Sequence, residues 1–198
     1  SPFGGDGLYA LGGHLLLGVL AFWTLKAPWA RGLSWVHVAW WLALPFAAML
    51  EIEHAFGTRA ALISFGDGWR HAAVGLPVLV SAALLLHRHD WIALPVQDMF
   101  PRYRERLQVP IMMLVMLGVV VLAFNAGHAA PLPFVPLFNP AELMQLFGML
   151  LLWAWGRQLD VPEGARATWN LLLAFGAFFL VTLMTLRATH HFGHEDWS

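Results

Sequence analysis

Residues 168–197 read TWNLLLAFGAFFLVTLMTLRATHHFGHEDW. Behind Trp169 runs a stretch of about twenty apolar or small residues, long enough for one helix to cross the hydrocarbon core of a bilayer. The run ends in Arg187, His190, His191, His194, Glu195 and Asp196. At ~100° per residue, Arg187 and His191 lie about 40° apart on a helix, with His194 on the same side. Gly193 is the predicted stop. The stretch is thus read as a membrane span tipped by one arginine and several histidines.

The rest of the chain fits that reading. Of its 198 residues, 59% are hydrophobic and 12% charged, where a soluble domain carries about 25% charged residues. Eleven Trp and fourteen Phe suit the aromatic belts of a membrane protein. The net charge of −1 leaves no basic surface of the kind nucleic acid needs. With no cysteine, disulfides, thiolate zinc sites and cysteine nucleophiles are excluded. The chain opens Ser1-Pro2 with no positively charged segment ahead of an apolar run, so no signal peptide is read. It is expected to be a piece of a longer or processed protein.

The fold class expected is all-α, a polytopic membrane helical bundle of about six transmembrane helices in a single domain over residues 1–198. The spans are placed at 8–25, 33–56, 69–86, 110–124, 140–155 and 168–190. Gly12, Gly13 and Gly18 give the first a small-residue face for a neighbour. Pro45 predicts a kink in the second. The fifth has the best-marked start: Asn139-Pro140-Ala141-Glu142 reads as N-cap, Pro at N1 and Glu at N3, a capping box that explains Glu142 without chemistry. Between the fourth and fifth lies Asn125–Asn139, NAGHAAPLPFVPLFN, apolar and without formal charge. Its prolines forbid a regular helix. It is expected against the membrane interface or dipping back in, as a greasy loop or as a lid.

Eight cationic residues, Lys26, Arg31, Arg88, Arg102, Arg104, Arg106, Arg157 and Arg166, fall on one side of this topology. Three, Arg59, Arg70 and Arg187, fall on the other. The eight-residue side is expected to be cytoplasmic. The chain is then a multi-pass protein of a bacterial inner membrane with both ends periplasmic. His14, His54, His71, His128, His190, His191 and His194 gather at the outer side, with Glu51, Glu53, Asp67, Glu142, Glu195 and Asp196. The segment 91–109, rich in Arg, is expected on the cytoplasmic leaflet, where each Arg near anionic lipid contributes about 1 kcal/mol.

Two constellations could carry chemistry. Glu51 and His54 stand at i, i+3 on one helix face, a pattern that can ligate metal in bundles. A single copy supplies too few ligands, so anchoring of the helix end is the preferred reading. Glu51, His54, His191 and His194 remain only weak metal candidates. In the other constellation, Arg187 is the candidate anion clamp. Arg70 and His71 would join it in binding substrate, and His190 or His191 would act as general base near neutral pH. The bland alternative is that Arg and His merely favour a helix C-terminus. No P-loop, Gly-x-Ser-x-Gly, dinucleotide fingerprint or His-Glu-x-x-His is present. Haem on His14 and His37 is ranked low, and no cofactor is expected.

The segment Pro131-Leu-Pro-Phe-Val-Pro-Leu-Phe-Asn139-Pro140, with Glu142-Leu143 following, and the run Leu186-Arg187-Ala-Thr-His190-His191-Phe-Gly193 resemble the C-terminal part of a family of large bacterial predicted membrane proteins, domain of unknown function number 2339. The resemblance runs from about Pro110 to Trp197. It implies a longer parent protein with many more spans, and it brings no reaction with it.

Three functions stay open. The first is a module with an outward-facing Arg/His site for an anionic lipid-linked or envelope substrate, enzymatic or not. The second is a non-enzymatic structural or assembly module, and the third a transporter or metal-binding protein. The partners expected are membrane lipids, and helix–helix partners or a homo-oligomer are open.

Overall fold

The structure is a computed structural model that describes residues 6–24, 30–59, 65–94 and 96–193. Lys26 and His194 lie outside the described residues. Among those described, the chain is helical throughout: α1 (Asp6–Thr24), α2 (Ala30–Arg59), α3 (Asp67–His87), a short α4 (His89–Ile92), a 3-10 turn (Gln97–Arg102), α5 (Arg104–Ala123), α6 (Pro140–Gln158) and α7 (Glu163–Gly193). Four helical stretches are long and apolar enough to cross a membrane: Gly32–Thr58, Asp67–His87, Arg104–Ala123 and Glu163–Gly193. The first and fifth expected spans are not among them. α1 carries the shorter apolar run Gly12–Phe22. α6 is diluted by Glu142, Gln145 and Arg157.

The placing of α6 explains that dilution. It packs against α3, α5 and α7, while α3 packs against α2, α5 and α6. A helix walled by others can hold polar residues that lipid would reject. α7 is the opposite case. Only 17% of its apolar window is buried, and Leu171, Phe175, Phe178 and Val181 stand exposed along it. In water such a face would aggregate; in a bilayer it is the lipid-facing side.

The apolar core sits at the end of the bundle where α3 finishes and α5 begins. Val78, Ala82, Leu85 and Leu86 of α3 meet Leu107, Ile111, Met112 and Val115 of α5, each set at helical spacing. Ile92, Phe100 and Tyr103 of the connecting segment are buried there too. The Arg-rich segment expected on the membrane surface is thus amphipathic, with one side plugging the bundle. Trp91 on its other side is exposed, with the Arg88 guanidinium 5.9 Å from its ring centre.

His37 is fully buried at this end. The Trp41 indole N–H donates to its Nε2 at 3.0 Å, and Nδ1 lies 3.1 Å from the Tyr103 hydroxyl oxygen. The Leu94 carbonyl is 3.4 Å from the same Nε2.

α5 begins at Arg104, six residues before the expected Pro110, and continues through that proline. α2 and α3 likewise run through Pro45 and Pro77. α6 starts as its sequence indicates. The Asn139 Oδ1 accepts from the Glu142 N–H at 3.1 Å, with Pro140 in the first turn. Glu142 does not close the expected box back onto Asn139. Its Oε2 accepts from the Leu137 N–H at 2.5 Å. Leu137 has φ +69°, a left-handed conformation that costs about 1–2 kcal/mol, and the bond to Glu142 helps hold it.

Candidate functional site

The end of the bundle opposite the core collects the C-terminus of α2, the N-termini of α3 and α6, the C-termini of α5 and α7, and the loop 124–139. The loop is bolted to the start of α3. Gly66 N–H donates to Ala130 O at 2.9 Å, Gly68 N–H to His128 O at 3.1 Å, and the Trp69 indole N–H to Ala129 O at 2.8 Å. A Cβ at Gly68 would stand 2.8 Å from the His128 carbonyl oxygen, so only glycine lets the loop seat this closely.

Asp67 organises the loop's first residues. Its Oδ1 accepts from the His128 backbone N–H at 3.0 Å, and its Oδ2 from the Asn125 side-chain amide at 2.9 Å. The His128 ring Nδ1 lies 3.5 Å from the same Oδ1. One turn along α3, the His71 Nδ1 is 2.7 Å from the Asp67 backbone carbonyl and 3.2 Å from the Asn125 amide nitrogen. The carbonyl can only accept, which assigns the His71 proton to Nδ1. Asn125 Oδ1 in turn accepts from the Gly127 N–H at 2.8 Å, and Gly127 has φ +74°.

α7 brings the remaining imidazoles. The rings of His128 and His191 are 5.1 Å apart, His128 and His190 6.0 Å, and His190 and His191 5.0 Å. Phe134 of the loop stacks on His191 at 4.0 Å between ring centres. The His191 Nε2 is 3.1 Å from the Ala126 carbonyl, so Nε2 carries the proton and Nδ1 is left as the acceptor of the neutral ring. His190 and His191 are half-buried, and His128 is exposed. The result is an exposed carboxylate–imidazole pair with two more imidazoles beside it, roofed on one side by an aromatic ring. Imidazoles so placed can donate and accept hydrogen bonds to a ligand.

Arg187 has a different place from the one expected of an anion clamp. It is fully buried. Its Nε donates to Asn125 O at 2.9 Å, one terminal nitrogen to the Gln145 Oε1 at 2.7 Å, and the other to Leu122 O. The guanidinium therefore caps the carbonyls at the end of α5 and ties α5, α6 and α7 together. Glu142 and Asp67 are the carboxylates that interact with its charge. Glu142 is itself fully buried, and its Oε1 has no hydrogen-bond partner among the described residues.

The other expected residues separate into two groups. His71 belongs to the Asp67–Asn125 cluster. Arg70 instead forms an ion pair with Glu53 on the exposed rim between α3 and α2. His54 and Glu51 lie on α2. Among the described residues no group of three or more His, Asp or Glu is set to hold a metal ion. Asp67, Asn125, His128 and Gln145 join the site without having been singled out as its members. Gln145 could have been found as a polar residue one turn beyond Glu142 in an apolar helix. Asn125-Ala-Gly-His128, set where an apolar run stops, carries the residue types of a structured turn.

Residues 4–198 match a family described as predicted membrane protein (DUF2339). The match is wider than the resemblance from Pro110 onward. No curated protein and no solved structure matches the chain.

Proposed function

The chain belongs to this family of predicted membrane proteins, and from that premise we propose that its histidine-rich end binds the polar part of an anionic lipid-linked or envelope substrate. His128, oriented by Asp67, serves with His190 and His191 as the proton-handling group. The observation that carries this reading is the meeting of three imidazoles from two distant segments, with His128 among them beside the Asp67 carboxylate. Neutral imidazoles tolerate a phosphate, and any one that protonates attracts it. Arg187 supports the site from beneath, by fixing the end of α5 from which Asn125, Gly127 and His128 project. Arg70 lies on the flank, where its pairing with Glu53 leaves it as part of the rim and not as a free cation of the site. The cation imbalance supports an outward, periplasmic direction for this end in a bacterial inner membrane.

Binding tests the reading. Purified protein in detergent, titrated with butyl phosphate by calorimetry, is expected to bind. A His128→Ala/His191→Ala double variant of unchanged helicity is expected to lose at least tenfold in affinity. Equal affinity in the double variant removes the proposal.

A second reading, a non-enzymatic assembly module, is favoured by the burial of Arg187 and the exposed apolar face of α7. It predicts a stoichiometric partner retained through gentle purification, together with no phosphate binding.

A further inference from the structure

We infer that the ligand of this site is held by a hydrocarbon chain as well as by its head, and that the chain lies in a cavity between α3, α5 and α6. The inference rests on reading the histidine cluster as a binding site. The cavity has a volume of about 210 Å³, larger than the ~150 Å³ apolar cavity that stays dry and takes up benzene. Val74, Val78 and Leu79 of α3 wall one side, and Val115 and Gly118 of α5 the other. These walls offer water no partners. A water takes up ~30 Å³ in the liquid and a methylene is of similar size, so the volume suits an alkyl segment of roughly seven carbons.

Two features distinguish this cavity from an ordinary groove between helices. The first is its polar end. His71 also lines it, and His71 is bonded into the Asp67–Asn125 cluster that holds His128. The top of the apolar space is thus the underside of the polar site. The second is its way in. Leu117 and Val121, also on its lining, are exposed on the face of α5, so the space opens sideways to where the bilayer lies. A chain already in the membrane can slide in while its phosphate stays at the imidazoles. Gly118 on the lining is exposed, and a Cβ there would meet nothing within 4 Å, so no side chain from this position crosses the way in.

The test is a chain-length series. Inorganic phosphate and butyl, octyl and dodecyl phosphates are titrated into the wild type, Gly118→Leu, Val74→Phe and the His128→Ala/His191→Ala variant, all in one detergent. In the wild type, affinity is expected to rise by about fourfold per methylene from butyl to octyl and then level off. Gly118→Leu narrows the space from α5 and Val74→Phe fills it from α3, and both are expected to flatten that rise while binding inorganic phosphate, which has no chain to place, as the wild type does. The detergent's own uptake of longer chains is the same for all variants and cancels in the comparison. A rise unchanged in both filling variants overturns the cavity while leaving the imidazole site standing. No binding of any phosphate by the wild type overturns both.

Discussion

Arg187 donates to Gln145 across the α6–α7 interface at 2.7 Å, with both side chains fully buried. Neither residue has water to fall back on, and the same guanidinium also serves the carbonyls of Leu122 and Asn125. Removing it strands three acceptors. Breaking a buried charged arrangement from one side costs about 3–5 kcal/mol. Arg187→Ala is therefore expected to lower stability by that amount, read by thermal or denaturant unfolding in detergent. Gln145→Leu loses one acceptor and should cost about 1–3 kcal/mol. Arg187→Lys should fall closer to Ala than to wild type, since an ammonium cannot reproduce the planar fork. Wild-type stability in Arg187→Ala would show that the network is not structural.

The Arg187 result also shows where the sequence was legible. Apolar run lengths and the Asn139-Pro140 start mark the helices, because hydrophobic periodicity and capping are local signals. Arg187 was recognisable as special for the same reason: a charge at the end of a span is conspicuous. Its role was not. Whether a guanidinium faces a ligand or a helix end depends on which carbonyls lie opposite, and those belong to a segment more than sixty residues earlier. His128 was hidden likewise. It reaches His191 only because loop 124–139 folds back onto the start of α3, and no periodicity encodes that return. The rank of Arg70 in the chain puts it near the site, but the neighbouring α2 supplies Glu53, and the pair forms on the rim.

Gly127 gives a second stability prediction. Its φ of +74° is in the left-handed region, and a Cβ there would sit 3.4 Å from the Asn139 Oδ1 and 3.5 Å from the Arg187 Cδ. The conformation alone costs an L-residue about 1–2 kcal/mol. Gly127→Ala is expected to destabilise by at least that much and to weaken butyl phosphate binding, because Gly127 adjoins His128. Gly164→Ala, at the far end of α7 with nothing within 4 Å of the added Cβ, serves as the control and should neither destabilise nor weaken butyl phosphate binding. Equal behaviour of the two alanine variants would refute a special role for the Gly127 turn.

Orientation can be settled cleanly because the sequence contains no cysteine. Single cysteines at exposed Leu132, in the loop, and at exposed Arg102, on the opposite end, are labelled in intact cells or spheroplasts with a membrane-impermeant maleimide. The cation asymmetry predicts reaction at position 132, and at position 102 only after lysis. The reverse pattern would place the histidine cluster in the cytoplasm and exclude a periplasmic substrate.

Tyr103 carries a pH dependence of stability. Burial pushes its phenol above the ordinary range, because a phenolate would have to sit among Phe100, Ile92 and Leu107 in the core. A group whose folded-state pKa is raised contributes stability that is fully present below its unfolded pKa, about 10 for a phenol. That contribution declines as the pH climbs beyond this value, since the unfolded chain ionises first. Unfolding measured between neutral and strongly alkaline pH should therefore show a loss that starts near pH ~10 and that Tyr103→Phe removes. The substitution carries its own penalty at neutral pH, about 1–3 kcal/mol, because the His37 Nδ1 loses its hydrogen-bond partner in a closed site. The only other tyrosine is Tyr9, so a Tyr9→Phe background makes phenolate absorbance a reporter of Tyr103 alone. Its titration should coincide with loss of helicity. Phenolate formation in the ordinary range, in protein that is still folded, would mean that the Tyr103–His37 contact is open to water and that the connecting segment does not plug this end of the bundle.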